Sequence, residues 1–169
     1  HIDYINQVAP ILRKRLQFPP FEDVKNIHIQ HLIQHQNAVS LHVRRGDYLQ
    51  EPLFTDICTE EYYEKSIQYM LKTLKSPLFI VFSNDISWCK TQFKDLNAIF
   101  VEHNLGSNSF RDLQLMSLCK HHIIANSSFS WWGAWLNDDP EKVVVSPKKW
   151  INDATIDTTG LILPTFVTF

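Results

Sequence analysis

The sequence has few of the features that would place it in a specialised class of protein. Its 169 residues include only 3 cysteines and 4 glycines. Cysteines that are odd in number and widely spaced indicate neither a disulfide framework nor a zinc motif. No apolar run approaches the ~20 residues that a transmembrane helix needs. The net charge of −2 also argues against a nucleic-acid binder, which would be basic.

The composition is that of a globular protein, with 44% hydrophobic and 20% charged residues. Apolar spacing predicts a helical lead-in segment over residues 1–36 and a domain over residues 37–169, in which strands alternate with helices. The predicted strands are 38–43, 78–82, 98–101, 122–125 and 143–145, and the predicted helices are 59–75, 86–93, 110–119 and 129–136. Nearly continuous apolar strands of this kind indicate an α/β, Rossmann-like fold with a parallel sheet and helices on both faces.

Polar clusters follow three of the predicted strands. Arg44–Asp47 follows the first strand, Ser83–Asp85 the second and Asn126–Ser128 the fourth. The carboxyl ends of parallel strands lie at one edge of a sheet, where α/β proteins bind ligands. The three clusters therefore predict one binding site.

The first cluster has the chemistry of a phosphate site. Guanidinium groups bind phosphate through two hydrogen bonds and stay charged, and Gly46 allows the backbone to turn close to a ligand. Only one of Arg44 and Arg45 is expected to face the site, and the sequence leaves open which. An arginine at this place would stabilise the charge that develops on a departing pyrophosphate.

The third cluster joins a strand to a helix. Ser127 or Ser128 is a suitable N-cap, and the amides of a helix N-terminus bind phosphate, although capping without a ligand is an equal alternative. The tryptophans that follow (Trp131, Trp132 and Trp135) favour core packing over stacking on a sugar or base.

Two further patterns bear on the ligand and on metals. Asp112 could accept hydrogen bonds from the edge of guanine, although an aspartate in the first turn of a helix also has a purely structural explanation. His28, His31 and His35 are interpreted as a solvated helix face. No Asp-x-Asp pair stands at a strand end, so no metal or other cofactor is expected.

Three long segments together resemble glycosyltransferase family 11, the α-1,2-fucosyltransferases, in its bacterial form. They are His42–Tyr48, Val81–Cys89 and Asn126–Leu136, and the resemblance spans residues 38 to 150. It implies the C-terminal, donor-binding half of a GT-B-type, metal-independent, inverting enzyme. Such an enzyme transfers fucose from GDP-fucose to the 2-hydroxyl of galactose in a glycan.

The resemblance also implies roles for residues. Arg44 would contact the β-phosphate, His42 would lie near the guanine, Asp112 would read the guanine edge, and Ser127 and Ser128 would contact phosphates. Arg44 and Asp47 are the candidate catalytic residues. The expected nucleotide-sugar site comprises His42, Arg44, Arg45, Gly46, Ser83, Asn84, Asp85, Asp112, Asn126, Ser127, Ser128 and Phe129.

The sequence departs from the family at its start. It lacks the glycine- and asparagine-rich segment, of the Gly-Gly-Leu-Gly-Asn-Gln type, of the family's N-terminal domain. A non-catalytic module that binds a GDP-sugar or a carbohydrate is therefore the alternative function. The expected partners are GDP-fucose and a galactose-terminated glycan, without nucleic acid. The expected location is the cytoplasm, with peripheral association at the inner face of a bacterial membrane left open.

Overall fold

A six-stranded, fully parallel sheet forms the centre of the molecule in the computed structural model, which describes residues 2–169. The spatial strand order is β3-β2-β1-β4-β5-β6. The strands are β1 (Ala38–Val43), β2 (Leu78–Ser83), β3 (Ala98–Val101), β4 (His121–Ile123), β5 (Val144–Ser146) and β6 (Val167–Thr168). This arrangement confirms the predicted Rossmann-like α/β class.

Six α-helices surround the sheet within residues 2–169. They are α1 (Ile2–Arg15), α2 (Val24–His35), α3 (Glu60–Thr73), α4 (Ile86–Gln92), α5 (Phe110–Leu118) and α6 (Ser128–Leu136). Side chains cap four of them at the N-terminus, because Asp23, Thr59, Asp85 and Ser127 each accept a hydrogen bond from a backbone amide of the first turn. Short 3-10 turns cover Gly46–Leu49 and Gly106–Asn108.

The two faces of the sheet carry different helices. Alternate residues of β1, such as Val39 and Leu41, pack with β2 and with α3 and α4. The opposite side chains, such as Ala38, pack towards α2 and α5. Ser40 lies on this second face and hydrogen-bonds His122 at 2.9 Å, and Asn137 holds the other ring nitrogen of His122 at 2.9 Å. Since both ring nitrogens of His122 are satisfied inside the protein, this histidine is structural.

The predicted lead-in segment packs against the rest of the chain. The apolar side of α1 contacts the cluster formed by Trp131, Trp135 and Trp150, and Arg13 donates to the carbonyls of Trp135 and Leu136 at the end of α6. Helix α2 places Ile29 and Ile33 in the core beneath the sheet. The boundary at residues 36 and 37 stays a prediction.

The tryptophans of α6 behave as core residues. Trp131 is buried, and its indole nitrogen donates to the Leu161 carbonyl at 2.8 Å. The ring of Trp132 packs edge-on against Trp131 and Trp135, with both centroid distances 5.3 Å. This packing confirms the structural interpretation of the sequence run.

Two predicted strands need correction, and one strand was missed. The fourth and fifth strands are displaced by one residue at their starts, because the structure has His121–Ile123 and Val144–Ser146. The fourth also ends earlier than predicted, where the Ile124 carbonyl accepts a hydrogen bond from the Tyr62 hydroxyl. Strand β6 was not predicted, since only two of its residues pair with β5. Within residues 2–169, none of the helices has the length and apolar character needed to cross a bilayer.

Candidate functional site

The candidate site lies where β1 and β4 end side by side. These strands pair in register, with Leu41 opposite Ile123, and they lie where the strand order reverses direction. Connections from β1 and β4 leave the sheet in opposite directions, which opens a crevice at their carboxyl ends. The first and third polar clusters of the sequence flank this crevice, as predicted.

A tyrosine joins the two sides of the crevice. The Tyr48 hydroxyl donates to the Asn126 carbonyl at 3.5 Å, and its ring stacks on Phe54 with a centroid distance of 4.5 Å. The Arg44 guanidinium lies over the same ring, 5.2 Å from its centroid. Tyr48 therefore connects the turn after β1 with the loop after β4.

Arg44 is the more available of the two adjacent arginines. Its Nη2 donates to Asp47 Oδ2 at 2.8 Å, while 34% of its side chain and 61% of that of Asp47 remain exposed. An exposed ion pair of this kind is weak, so an anionic ligand can replace the carboxylate at small cost. The present contacts of Arg44 therefore hold its guanidinium in place and leave it able to bind a ligand.

Arg45 is engaged inside the protein. Its Nε donates to Asp85 Oδ2 at 3.3 Å, and its guanidinium lies 4.0 Å from the centroid of the Trp88 ring. Its backbone N–H donates to Asn84 Oδ1 at 2.9 Å. The structure thus answers the question that the sequence left open: Arg44 faces the crevice, and Arg45 binds the neighbouring strand end.

Gly46 makes the close approach between these two strand ends possible. Its φ is +45°, and a Cβ at this position would lie 2.4 Å from Asn84 Nδ2. The close approach is thus to a side chain of the protein. Asn84 Nδ2 also reaches Asp47 Oδ1 at 3.4 Å.

The second polar cluster holds the turn at the end of β2. Ser83 Oγ accepts from the Asp85 amide at 2.9 Å, and Asp85 Oδ1 caps α4 by accepting from the Trp88 amide at 3.2 Å. Together with Asn84, these residues fix Arg45 and Gly46. Direct contact of Ser83, Asn84 and Asp85 with a nucleotide sugar stays a prediction.

His42 brings a polar atom without a partner to the crevice. The residue is 6% exposed, and its Nδ1 forms no hydrogen bond within residues 2–169. Burial, together with the charge of Arg44, lowers the pKa of His42 to about 3. The imidazole is therefore neutral at physiological pH, and its ring centroid lies 5.9 Å from that of Phe129. A buried polar atom without a partner is a place where a ligand can form a hydrogen bond.

The N-terminus of α6 lies on the other side of the crevice, directly after the loop that follows β4. Ser127 is buried and its Oγ accepts from the Phe129 amide at 3.3 Å, whereas Ser128 is exposed in the first turn. Capping and anion binding are thus compatible here, because one serine caps while the other stays accessible.

Asn126 supports the loop from below. It is 2% exposed, its Nδ2 donates to the Trp150 carbonyl at 3.1 Å, and its Oδ1 accepts from the Cys58 thiol at 3.4 Å. Because both ends of the amide are occupied inside the protein, its observed role is to hold the loop. Donor contact by this side chain stays a prediction.

Asp112 lies in the first turn of α5, near the end of β3. Its Oδ1 accepts from Asn104 Nδ2 at 2.8 Å. Burial raises the pKa of the Asp112 carboxyl to about 6, against the opposing effect of that hydrogen bond. A carboxyl group that is largely buried yet ionised at neutral pH is costly, and such groups are frequent at ligand sites.

Sequence reasoning missed the side chains that surround Asp112. Asn26 and Asn104 are 1% and 7% exposed and hydrogen-bond each other, although they are 78 positions apart. Asn104 follows β3, so its place at a strand end was an available signal. Asn26 lies on α2 and offered none.

Metal-ligating side chains do not cluster in the described part of the chain. Within residues 2–169, no three His, Cys, Asp or Glu residues come together in a way that could hold a metal ion. His31 and His35 stack on each other on the exposed side of α2, with a centroid distance of 4.2 Å.

The chain is similar in sequence to known glycosyltransferases. The sequence model of the family described as "Glycosyl transferase family 11" matches residues 3–162. The chain is 43% identical over 123 residues to the O-antigen biosynthesis glycosyltransferase WbnK of Escherichia coli, covering 70% of this chain and 41% of WbnK. It is 45% identical over 127 residues to an alpha-1,2-colitosyltransferase of Escherichia coli, covering 70% of this chain and 43% of that protein.

A more distant relative is the galactoside 2-alpha-L-fucosyltransferase Sec1 of Mus musculus. It is 29% identical over 108 residues, covering 61% of this chain and 29% of that protein. The chain thus spans less than half the length of the relatives it matches. Since the family model covers nearly all of the sequence, the chain belongs to glycosyl transferase family 11.

Proposed function

We propose that this chain binds GDP-fucose as the donor-binding part of an inverting, metal-independent α-1,2-fucosyltransferase of the GT-B type. One observation carries the proposal: the exposed Arg44 and the N-terminus of α6 flank a single crevice at the point where the strand order reverses. A cation and a helix N-terminus facing each other are suited to a pyrophosphate.

The proposed reaction forms a bond between the acceptor oxygen and fucose C1 and breaks the bond between fucose C1 and the β-phosphate oxygen. GDP departs with the electron pair of the broken bond, and the proton of the acceptor hydroxyl passes to a base. Arg44 and the first amides of α6 stabilise the negative charge that develops on the phosphate. These groups would take the place that a divalent cation has in metal-dependent transferases. Full activity in the presence of a chelator such as EDTA is the expected result, and its loss would contradict metal independence.

Guanine is proposed to lie between His42 and Asp112. Both side chains lie towards the carboxyl edge of the sheet, and both offer hydrogen-bonding atoms that the protein does not fully use. An ionised carboxylate can accept from N1–H and from the 2-amino group of guanine. Adenine lacks this pair of donors, so the site would discriminate between the two bases.

An inverting transfer also needs a base for the acceptor hydroxyl. Asp47 is the candidate in this chain, and its ion pair with Arg44 offers the alternative that it only orients the arginine. Asp47→Asn distinguishes the two roles when donor affinity and turnover are both measured. A base would affect turnover alone, whereas an orienting residue would affect donor affinity as well.

The acceptor is proposed to be the 2-hydroxyl of a galactose at the end of a glycan. The alternative is a non-catalytic module that binds the GDP-sugar without transferring the sugar. Release of GDP from GDP-fucose in the presence of lactose-type acceptors distinguishes the two. GDP binding without any transfer would favour the module.

Calorimetry of GDP binding tests the donor site directly. We expect GDP to bind without added metal, Arg44→Ala to weaken binding strongly, and ADP to bind much more weakly. Equal affinities for GDP and ADP would contradict the assignment of guanine.

The identity of the sugar has a second candidate. The relative that is 45% identical is named a colitosyltransferase, and colitose is fucose without its 3-hydroxyl group. Competition between GDP-fucose and GDP-colitose for the same site decides which sugar the chain prefers.

Peripheral contact with a membrane belongs to the same proposal. Tyr4 and Ile11 on the outer side of α1 are 72% and 59% exposed, and Lys14 and Arg15 are exposed at its end. Apolar and cationic side chains on one helix suit an anionic lipid surface. Co-flotation with anionic but not with neutral vesicles is the expected result.

A further inference from the structure

A network of hydrogen-bonded amide and carboxylate side chains leads to Asp112, and its two amides, Asn26 and Asn104, are buried. Asn104 Nδ2 donates to Asp112 Oδ1 at 2.8 Å and to Asn26 Oδ1 at 3.0 Å. In return, Asn26 Nδ2 donates to Asn104 Oδ1 at 2.7 Å and to Asp23 Oδ2 at 2.8 Å. Four side chains from α2, α5 and the loop after β3 are thus joined by direct hydrogen bonds.

The direction of this network is fixed by its two ends. Each amide nitrogen has two hydrogens, and in both asparagines both are used. Ionised carboxylates can only accept, so the amide nitrogens of Asn104 and Asn26 must point outward towards Asp112 and Asp23. Rotating either amide by half a turn would bring two oxygens together in a buried place, which costs the full penalty of an unsatisfied polar group.

Both oxygens of the Asp112 carboxylate keep acceptor capacity for a ligand, because a carboxylate oxygen can accept more than one hydrogen bond. Oδ2 accepts no hydrogen bond from the residues that the structure describes, whereas Oδ1 is held by Asn104. The hydrogen bond from Asn104 also favours the ionised carboxylate against the effect of burial on its pKa. The carboxylate is therefore both oriented and kept as an acceptor before any ligand arrives.

We propose that Asn104, locked by Asn26, is a positioning residue that aims the Asp112 carboxylate at guanine and thereby sets base specificity. This inference rests on the proposed function, in which Asp112 accepts from N1–H and the 2-amino group of the base. Asn104 itself would not touch the ligand's guanine edge. It would act by fixing the orientation of the Asp112 carboxylate plane.

Inosine diphosphate gives a readout that a merely structural role would not change. It is GDP without the 2-amino group, so the ratio of its dissociation constant to that of GDP reports how well the carboxylate reaches that group. General loss of folded protein lowers binding of both ligands equally and leaves the ratio unchanged. Misalignment of Asp112 weakens GDP more than inosine diphosphate and lowers the ratio.

The experiment measures this ratio by calorimetry in the unaltered chain, in Asn104→Ala and in Asn97→Ala. Asn97 is a control asparagine, because its Nδ2 donates a hydrogen bond within the protein, to the Pro77 carbonyl at 3.2 Å, but at the opposite edge of the sheet. We expect a ratio of about 10 or more in the unaltered chain and in Asn97→Ala, since one hydrogen bond to a charged group is at stake. In Asn104→Ala we expect the ratio to fall below about 3. An unchanged ratio in folded Asn104→Ala would overturn the proposal.

Asp112→Asn separates this proposal from the function on which it rests. If the ratio falls in Asp112→Asn but not in Asn104→Ala, Asp112 reads the base and the positioning role is wrong. Equal affinities for the two ligands in the unaltered chain would overturn the reading of guanine and the positioning role together.

If Asn104→Ala does not fold, a variant at Asp23, the exposed end of the hydrogen-bonded network, tests the proposal instead. Asp23→Ser keeps an N-cap oxygen for the Asn26 amide but removes the acceptor of Asn26 Nδ2. We expect it to lower the ratio about twofold, because Asn26 then holds Asn104 less firmly. A folded Asp23→Ser with an unchanged ratio would overturn the proposal.

Discussion

The ends of β1 and β2 are neighbours, and both carry polar clusters that look alike in the sequence. After β1 the Arg44 side chain stays partly accessible, because within residues 2–169 it pairs with the exposed Asp47 and lies over Tyr48. The side chains after β2 are consumed by the protein, because Ser83 and Asp85 bond to backbone amides of the same turn. The end of β1 therefore presents side chains to the crevice, whereas the side chains at the end of β2 support the turn after β1.

This difference shows that polar residues gathered at one edge of a sheet do not all contact a ligand. Backbone groups at strand ends lose their sheet partners and need new ones, so polar residues are required there even without a ligand. Asn84 illustrates this need by accepting from the Arg45 amide. A polar side chain at a strand end is therefore a ligand candidate only when its own partners are weak or missing, as for Arg44 and His42.

The largest expected effect on GDP binding would come from removing Arg44, the accessible arginine after β1. We expect Arg44→Ala to weaken GDP binding by about 100-fold, because it removes charge-assisted hydrogen bonds to phosphate. Calorimetry measures the loss, and Arg44→Lys should recover only part of it, since lysine lacks the paired donors. Near-normal GDP affinity in Arg44→Ala would contradict the proposal that the end of β1 binds the ligand whereas the end of β2 has a structural role.

Gly46 connects the two ends, and its substitution would disturb both. In Gly46→Ala the new Cβ would meet Asn84 Nδ2, and alanine at a φ of +45° is strained. We expect a loss of about 2 kcal/mol in the free energy of unfolding, measured by denaturant titration. The double variant Gly46→Ala with Asn84→Ala should recover only the part due to the clash. Full recovery would show that backbone strain is absent.

The pH dependence of GDP binding tests the region around Asp112. Because the pKa of its carboxyl is about 6 in the free protein, protonation below that pH removes the acceptor. We expect GDP binding at pH 5 to be about tenfold weaker than at pH 8. His42 stays neutral over this range, because its pKa is about 3. Asp112→Asn provides the control, since its profile lacks the titration of the Asp112 carboxyl.

The same pKa shift acts on folding with the opposite sign. A carboxyl with a raised pKa in the folded state binds its proton more tightly there than in the unfolded chain. The contribution of Asp112 to stability is therefore present below its ordinary pKa of 3.8 and is lost as the pH rises through about 6. Asp112→Asn should remove this contribution from the pH dependence of the unfolding free energy.

The sequence was sufficient to predict the parallel sheet and the edge at which the site lies. Strong apolar runs such as those of β1 and β2 are buried on both faces, and this makes them easy to recognise. The two-residue strand β6 could not be predicted in this way, because Val167 and Thr168 form too short a run to show a pattern. The choice between Arg44 and Arg45 was also out of reach, since it depends on Trp88 and Asp85 from the next strand end.

The network around Asp112 shows a second limit of sequence reasoning. Asp112 was recognised as a candidate, but its partner Asn104 is held by Asn26 from a different helix. Pairing of this kind depends on the packing of α2 beside α5, which no local pattern encodes. Residues that position a functional group are harder to find than the group itself, because they need no special spacing relative to it.

The smallest expected effect on binding would come from the supporting arginine. Arg45→Ala removes a partly buried ion pair with Asp85 and the contact with the Trp88 ring. We expect about 1 kcal/mol of lost unfolding free energy, and GDP affinity within about threefold of the unaltered chain. Both are measurable on the same preparation, by denaturant titration and by calorimetry.

Arg44→Ala should show the reverse pattern, with a large loss of affinity and little change in stability. A loss of GDP affinity in Arg45→Ala as large as that in Arg44→Ala would mean that both strand ends contact the nucleotide.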